Sequence, residues 1–220
     1  MCIRDSLDAS LEVKRALDEG ILGNPVMADC YMKFYRPQEY YSGSRWKGMQ
    51  ALDGGGALIN QGIHGLDLLL HLAGDIMSVQ AYTDVRAHED IEVEDTCVAA
   101  VRYTNGALGV IQATTSVHPD FQQRIEVHGS EGTIILDGTE EVWIKHWETF
   151  KDGPRQIEER APVEHSGAAA VLEEGGEAHA RQIEDFVKAI REDREPLING
   201  AEGRRSLAVV RAIYESAETR

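Results

Sequence analysis

Apolar and polar positions recur with a helical period near both ends of the chain. Leu7–Glu19 carries leucine and alanine among charged residues and is followed by Gly20, so a helix is predicted there. Two amphipathic segments, Glu177–Asp193 and Glu202–Thr219, predict a pair of closing helices. In Val26–Tyr35 every second residue is apolar, which is the period of a half-buried strand.

The middle of the chain has the pattern of a β-sheet. Asn105-Gly106 lies between two β-rich segments, and both residues tolerate the positive φ of a tight hairpin turn. Because the strands follow one another directly, a largely antiparallel sheet is expected. Lys151–Glu174 is polar and is interpreted as a long connection. The predicted strands are Val79–Arg86, Thr96–Tyr103, Leu108–Val117, Arg124–Gly129, Thr133–Leu136 and Val142–His146.

Composition narrows the class of protein. Of the 220 residues, 42% are hydrophobic and 27% are charged, as in an ordinary soluble globular protein. The net charge of -16 argues against nucleic acid, whose phosphates are bound by clustered lysine and arginine. The three cysteines are scattered and form no disulfide framework. No apolar segment is long enough to span a membrane. The first residues lack the apolar core of a signal peptide. A cytoplasmic protein is therefore expected.

The segment with candidate chemistry is Gly54–Leu72, whose helix is predicted to begin near Ala57. It is not a G-x-G-x-x-G dinucleotide turn, because Ile59 stands where the last glycine should be. Four polar residues fall at i, i+4, i+7 and i+11, within a stripe roughly 60° wide on an otherwise apolar helix. Such a helix is buried, so the stripe must face a hydrogen-bonded network or a cleft. This polar stripe consists of Asn60, His64, Asp67 and His71.

The residues alone leave three interpretations of the polar stripe open. It is a satisfied buried network without chemistry, as is common for buried histidines. Alternatively, His64, Asp67 and His71 bind a metal, although their spacing is not an established metal signature and no metal ligand is assigned. In the third interpretation the stripe faces a cleft.

Several motifs resemble one known family. Residues 54–69 read GGGALINQGIHGLDLL, and the chain also contains EVEDT, NGALGVIQAT, VHGSEGTI and QIEDFVKAI. Together they are similar to the glucose–fructose oxidoreductase, inositol dehydrogenase and rhizopine-catabolism (Gfo/Idh/MocA) family, whose members carry GGG-x-x-x-[D/N]-x-G-x-H-x-x-D-L at this point. The resemblance covers nearly everything after Ser6.

The resemblance implies an α+β fold: an open, largely antiparallel sheet covered on one face by helices, as in dihydrodipicolinate-reductase-like domains. Residues 7–220 would form the substrate-binding and oligomerisation domain, and the intact enzyme would be a homo-oligomer through the open sheet face. The family's N-terminal Rossmann domain, which binds NAD or NADP, is expected to be absent from this chain, and with it the cofactor-binding residues. Residues 1–6 are interpreted as a non-native lead-in.

The resemblance also implies residue roles in the oxidation of a sugar, polyol or related hydroxy compound. His64 matches the family's general base, and Asp67 matches a supporting acid. Asn60 matches a position that is Asp in many members, so it can orient a hydroxyl but cannot share a proton, and His64 is expected to act without a carboxylate there. The residues that fall where the family often places substrate contacts are Lys33, Tyr35, Arg36 and Trp46.

Two functions from other classes are alternatives. One is a non-catalytic carbohydrate-binding or assembly domain, which has the same fold but no nucleotide-binding domain for a redox reaction. The other is a metal-dependent hydrolase or isomerase that uses His64, Asp67 and His71. Because a hydride cannot be transferred without a bound cofactor, the 220-residue chain by itself is expected to be inactive.

Overall fold

A computed structural model describes residues 7–138, 141–157 and 176–219, so the lead-in at 1–6 lies outside the described residues. Eight strands form one sheet in the order β2-β3-β4-β1-β5-β6-β7-β8. The pair β1–β4 is parallel and the other neighbours are antiparallel, which confirms the prediction of a largely antiparallel sheet. The strands are β1 Pro25–Lys33, β2 Ile76–Asp84, β3 Thr96–Tyr103, β4 Leu108–Thr114, β5 Arg124–Gly129, β6 Gly132–Asp137, β7 Trp143–Thr149 and β8 Gly153–Pro154.

Helices cover one face of this sheet and leave the other open, as expected. Helix α4 packs on β1 and β5, α6 packs on β2, and α1 lies against α4. Among the described residues no helix is long and apolar enough to cross a membrane. The helices are α1 Asp8–Asp18, α2 Glu39–Ser42, α3 Gln50–Asp53, a π-helix Leu58–Gly62, α4 Ile63–Ala73, α5 Gly176–Glu192 and α6 Gly200–Glu218.

The core lies between α4 and the centre of the sheet. Cys30 of β1 pairs with Ile111 of β4 on one side and with Ile125 of β5 on the other, and all three are buried. Leu66 and Leu69 of α4 are fully buried above them. Burial of each such side chain stabilises the fold by about 1.5–3 kcal/mol, so this three-strand centre fixes the position of α4.

Most element predictions are confirmed, and the differences have local causes. The strand predicted at Val79–Arg86 ends at Asp84, because the N–H groups of Arg86 and Ala87 donate to the Asp95 carboxylate instead of a neighbouring strand. The last helix begins at Gly200, earlier than predicted, because the Asn199 side chain caps it by accepting hydrogen bonds from two backbone N–H groups. Within the predicted connection, β8 pairs with β7, and residues 158–175 lie outside the described residues.

Candidate functional site

The helix that carries the polar stripe does not begin as the regular α-helix that the sequence predicts. Its first turn is the π-helix Leu58–Gly62, a geometry often found at functional sites. The Glu94 carboxylate holds its start, accepting hydrogen bonds from the N–H of Gly56 (2.8 Å), the N–H of Leu58 (2.9 Å) and the hydroxyl of Tyr214 (2.9 Å). Burial raises the pKa of Glu94, although these bonds act to lower it. Sequence reasoning did not assign Glu94 a role; its only signal was the EVEDT motif.

Two glycines let this helix approach the sheet more closely than a side chain would permit. A Cβ on Gly65 would lie 2.5 Å from the sulfur of Met32 and 2.8 Å from that of Cys30. A Cβ on Gly62 would lie 3.1 Å from the Cβ of Ala113. These contacts confirm the interpretation that an element packing closely against the helix makes its glycines tolerable.

The polar stripe is the more solvent-exposed edge of the helix, as predicted. Asn60, His64, Asp67 and His71 are all partly exposed, whereas Leu68 and its apolar neighbours are buried. His64 lies in the first turn of α4, directly after the π-helix. The structure therefore leaves the edge that carries the imidazole accessible.

The C-terminal half of the stripe, Asp67 and His71, contacts other helices. The Ser206 hydroxyl of α6 donates a hydrogen bond to the Asp67 carboxylate. The Nε2 atom of His71 is buried and has no hydrogen-bond partner among the described residues. Burial lowers the pKa of His71, and the positive charge of Lys14 on α1 adds to this effect. Asp67 and His71 thus belong to the packing between helices.

The near half of the stripe is oriented by a carboxylate that the sequence did not reveal. The Nδ2 atom of Asn60 donates to Oδ1 of Asp53 at 2.8 Å and to the carbonyl oxygen of Gly55 at 3.3 Å. The other oxygen of Asp53 accepts a hydrogen bond from the N–H of Gly48 at 2.8 Å. Asp53, from the preceding short helix, therefore places a carboxylate beside Asn60. With its nitrogen held, Asn60 has a fixed carbonyl direction.

A basic and aromatic loop lies beside the π-helix. The Gln61 side chain donates a 2.9 Å hydrogen bond to the hydroxyl of Tyr40. The Lys47 ammonium lies 3.5 Å from the centre of the Tyr40 ring, and the Arg36 guanidinium lies 5.9 Å from it. Gln61 precedes His64 by about one helical turn, so two cationic side chains stand near the start of the helix. Tyr40 and Lys47 were not assigned roles from the sequence, since nothing local distinguishes them from other loop residues.

A buried pair anchors the start of this loop. A ring nitrogen of His88 lies 2.8 Å from the carbonyl oxygen of Arg36, and the other lies 3.0 Å from the Asp95 carboxylate. Burial acts to raise the pKa of Asp95, but hydrogen bonds from the N–H groups of Ala87, Arg86 and His88 outweigh it and lower the pKa well below its ordinary value. Asp95 is thus charged in the folded protein and fixes the His88 ring.

Not all of the residues predicted to contact substrate lie near the helix that carries His64. Lys33 lies on the open sheet face, with its ammonium 5.1 Å from the centre of the Tyr31 ring, because alternate residues of a strand face opposite sides. Tyr35 is exposed beyond the end of β1, where its ring meets that of His118 edge-on at 5.0 Å. Trp46 is 48% exposed, and the Lys47 ammonium lies 5.7 Å from the centre of its ring. Arg36 and Trp46 therefore join the loop beside the helix, and Lys33 does not.

Two cavities among the described residues lie away from the polar stripe. One of about 570 Å³ lies over β5, β6 and β7, and one of about 140 Å³ lies between the end of α1 and the end of α4. Within the same residues, the ligand atoms close enough to share a metal ion belong to Asp29, Glu126 and His128. The geometry therefore does not support the metal site predicted as an alternative at His64, Asp67 and His71.

Known proteins are similar to this chain in fold and in sequence. The family described as "Oxidoreductase family, C-terminal alpha/beta domain" matches residues 14–220. The WlbA dehydrogenase from Bordetella pertussis, solved in complex with NADH and UDP-GlcNAcA, is 33% identical with a TM-score of 0.79, over 97% of this chain and 58% of that chain.

Two curated relatives are dehydrogenases. Myo-inositol 2-dehydrogenase from Thermotoga maritima is 27% identical over 169 residues, which cover 74% of this chain and 47% of the relative. D-apiose dehydrogenase from Paraburkholderia graminis is 28% identical over 210 residues, covering 93% of this chain and 53% of the relative. The chain thus spans about half the length of these relatives. By its motifs, its sheet and its match to the family's C-terminal α/β domain, the chain belongs to the Gfo/Idh/MocA family of oxidoreductases.

Proposed function

We propose that the chain is the substrate-binding part of an NAD(P)-dependent oxidoreductase that acts on a sugar, a polyol or a related hydroxy compound. The observation that carries this proposal is the accessible edge of the helix at residues 58–73, called the signature helix below, where His64 and the oriented Asn60 lie next to a loop of aromatic and basic side chains. Aromatic rings and hydrogen-bonding side chains suit the apolar faces and hydroxyl groups of a sugar. The relatives named dehydrogenases support the reaction class.

His64 is proposed to take the proton of the substrate hydroxyl. Imidazole side chains exchange protons near neutral pH, so this side chain suits a general base. As the O–H proton moves to His64, the hydride on the same carbon leaves and a carbonyl group forms. The carbonyl oxygen of Asn60 orients a substrate hydroxyl, and Asp67 supports the helix against α6 through Ser206.

The nicotinamide cofactor, when bound, accepts the hydride, and we propose that a separate domain holds it. The glycine turn of this chain does not fit a phosphate, because the Glu94 carboxylate already occupies the N–H donors of Gly56 and Leu58. The family match to a C-terminal domain and the greater length of the relatives support a preceding nucleotide-binding domain. The Bordetella relative, which is longer than this chain, was solved with NADH.

We further propose that the intact protein is a cytoplasmic homo-oligomer that associates through the open sheet face. Large apolar side chains are exposed there, including Tyr82 (68%), Leu108 (48%) and Val98 (43%). Contact between two copies would remove them from water. Light scattering should find an oligomer for the intact protein and a smaller species for Tyr82→Glu; a monomeric parent protein would contradict this arrangement.

The reaction class is tested by the formation of NADH. The intact protein, with its nucleotide-binding domain, is incubated with NAD⁺ or NADP⁺ and a panel of inositols, aldoses and sugar acids while absorbance at 340 nm is followed. We expect reduction of a nicotinamide with at least one member of the panel. The 220-residue chain alone should show no NAD⁺ binding by calorimetry. Micromolar binding by this chain would contradict the assignment of the cofactor to a separate domain.

A further inference from the structure

The open face of the sheet carries a buried carboxylate that the proposed reaction does not use. Asp29 of β1 is only 3% exposed, and it points away from the signature helix. One of its oxygens accepts a 2.7 Å hydrogen bond from the N–H of Val110 on β4. In the part of the chain that the structure describes, no lysine or arginine forms an ion pair with Asp29. A buried carboxylate with one hydrogen bond and no such partner is costly unless a cation compensates it.

Strand register brings two more ligand groups to Asp29. Glu126 of β5 stands directly opposite Asp29, and His128 lies two residues further along the same strand, hence on the same face. One ligand atom from each of the three side chains lies within 4.8 Å of the other two. The Nε2 atom of His128 is 3.4 Å from a carboxylate oxygen of Glu126. That separation is the one expected for two ligands on a single ion at about 2.1 Å from each.

A neighbouring strand fixes the imidazole in a ligand orientation. The Nδ1 atom of His128 lies 3.0 Å from the hydroxyl of Thr133, its cross-strand partner on β6. This contact leaves Nε2 facing the Glu126 carboxylate, as in metal sites where a second group holds the other ring nitrogen. A guanidinium nitrogen of Arg124 lies 3.9 Å from a carboxylate oxygen of Glu126, but the same side chain is bound to Asp137 through two shorter hydrogen bonds of 2.6 and 2.9 Å.

We propose that Asp29, Glu126 and His128 bind a divalent transition-metal ion on the open sheet face. Two carboxylates and one imidazole are a ligand set for Zn²⁺ or Mn²⁺, since the imidazole disfavours the oxygen-seeking ions Mg²⁺ and Ca²⁺. The ion joins β1 to β5 through these three side chains. The site goes beyond the proposed oxidoreductase function, because it lies on the face opposite His64 and takes no part in hydride transfer.

The test is calorimetric titration of Zn²⁺ into the metal-stripped 220-residue protein in a non-chelating buffer. We expect one site in the wild-type protein and at least about tenfold weaker binding in Asp29→Asn and His128→Gln. Thr133→Val should weaken binding by about 10–100-fold, because it releases the imidazole without removing a ligand. Melting curves recorded without metal show whether each variant is folded.

A matched control comes from the neighbouring strand. His146 and Glu148 of β7 form a similar histidine–carboxylate pair at 3.5 Å, but both are well exposed and the described residues provide no buried third carboxylate. His146→Gln should therefore bind Zn²⁺ like the wild type. Equal binding by wild type and His128→Gln would overturn the proposal, and so would the absence of a Zn²⁺ site in the wild type.

A spectroscopic measurement on the wild-type protein does not depend on any variant. X-ray absorption of the Zn²⁺-loaded protein should show one imidazole nitrogen among oxygen ligands. A shell of oxygen alone, or one with sulfur, would overturn the assignment. Failure here would leave the oxidoreductase proposal intact, because His64 is not part of this site.

Discussion

Asp53 and Asn60 are joined by a hydrogen bond of 2.8 Å from the side-chain amide to the carboxylate, across the glycine turn that opens the signature helix. Asn60 cannot exchange a proton, so what it contributes is the direction of its carbonyl oxygen. Asp53 sets that direction and in turn is held by the N–H of Gly48. The pair shows how a short helix outside the signature sequence positions a group within it.

Removal of Asp53 should impair turnover more than substrate affinity. Asp53→Ala frees the Asn60 amide, and in the intact enzyme we expect kcat to fall by about tenfold or more, as for a misplaced orienting group. Asp53→Asn keeps one acceptor and should retain more activity. Asp84→Ala removes an exposed carboxylate at the sheet edge and serves as the control. Equal kcat values for Asp53→Ala and Asp84→Ala would contradict the positioning role.

The cations around Tyr40 should select for acidic substrates. Lys47 lies over the Tyr40 ring, and no carboxylate forms an ion pair with it among the described residues. For a sugar that carries a carboxylate or phosphate, we expect Lys47→Met to raise KM by about tenfold, equivalent to 1.4 kcal/mol. The KM of a neutral polyol should change little. A parallel change in KM for both substrates would contradict selection by charge.

The close approach of the helix to the sheet should make substitution of Gly65 destabilising. Gly65→Ala would bring a methyl group into contact with Met32 and Cys30, and we expect a loss of about 1–3 kcal/mol in the free energy of unfolding. Gly203→Ala in α6 meets nothing within 4 Å and should stabilise the protein by about 0.5–1 kcal/mol. Urea denaturation of both variants measures the contrast. A neutral Gly65→Ala would show that the helix is free to shift.

The buried His71 should make the fold sensitive to acid. Burial first, then Lys14 and Arg205, lower its pKa below the ordinary 6.5, although Asp67 and Asp18 act in the opposite direction. Below pH 6.5 the unfolded chain therefore binds a proton that the folded protein resists, so stability falls as pH falls.

His71→Leu should remove this loss of folding stability at low pH. Between pH 8 and pH 5.5 we expect the wild type to lose more unfolding free energy than the variant. At pH 8 the variant should be at least as stable, since an apolar group replaces the buried Nε2, which has no hydrogen-bond partner in the described part of the chain. Urea denaturation at the two pH values tests this, and identical pH dependence in both proteins would contradict it.

Local pattern was sufficient for the strands but not for their order. Thr96–Tyr103 and Arg124–Gly129 have the predicted bounds, because alternation of apolar residues and turn residues at the ends are properties of the segment itself. The parallel pairing of β1 with β4, by contrast, brings Cys30 beside Ile111 across six intervening elements: α2, α3, the π-helix, α4, β2 and β3. Periodicity carries no information about that choice of neighbour.

The polar stripe was likewise visible in the sequence, and its partners were not. Helical spacing identified the edge that the structure leaves accessible. Ser206, which binds Asp67, is 139 positions away, and Tyr214, which binds Glu94, is 120 positions away. These partners depend on how α6 returns across the sheet, so no local signal could identify them. The π-helix was missed because an α-helical period was assumed where Glu94 holds the first turn.

The central claim is that His64 takes the substrate proton, and the most direct measurement is the turnover of His64→Ala in the intact enzyme. His146→Ala, which removes an exposed histidine from the sheet, is the matched control. We predict that kcat falls by about 10²–10⁴-fold in His64→Ala while the Kd for the nicotinamide cofactor is unchanged, and that His146→Ala behaves like the wild type. Wild-type turnover in His64→Ala would contradict the account.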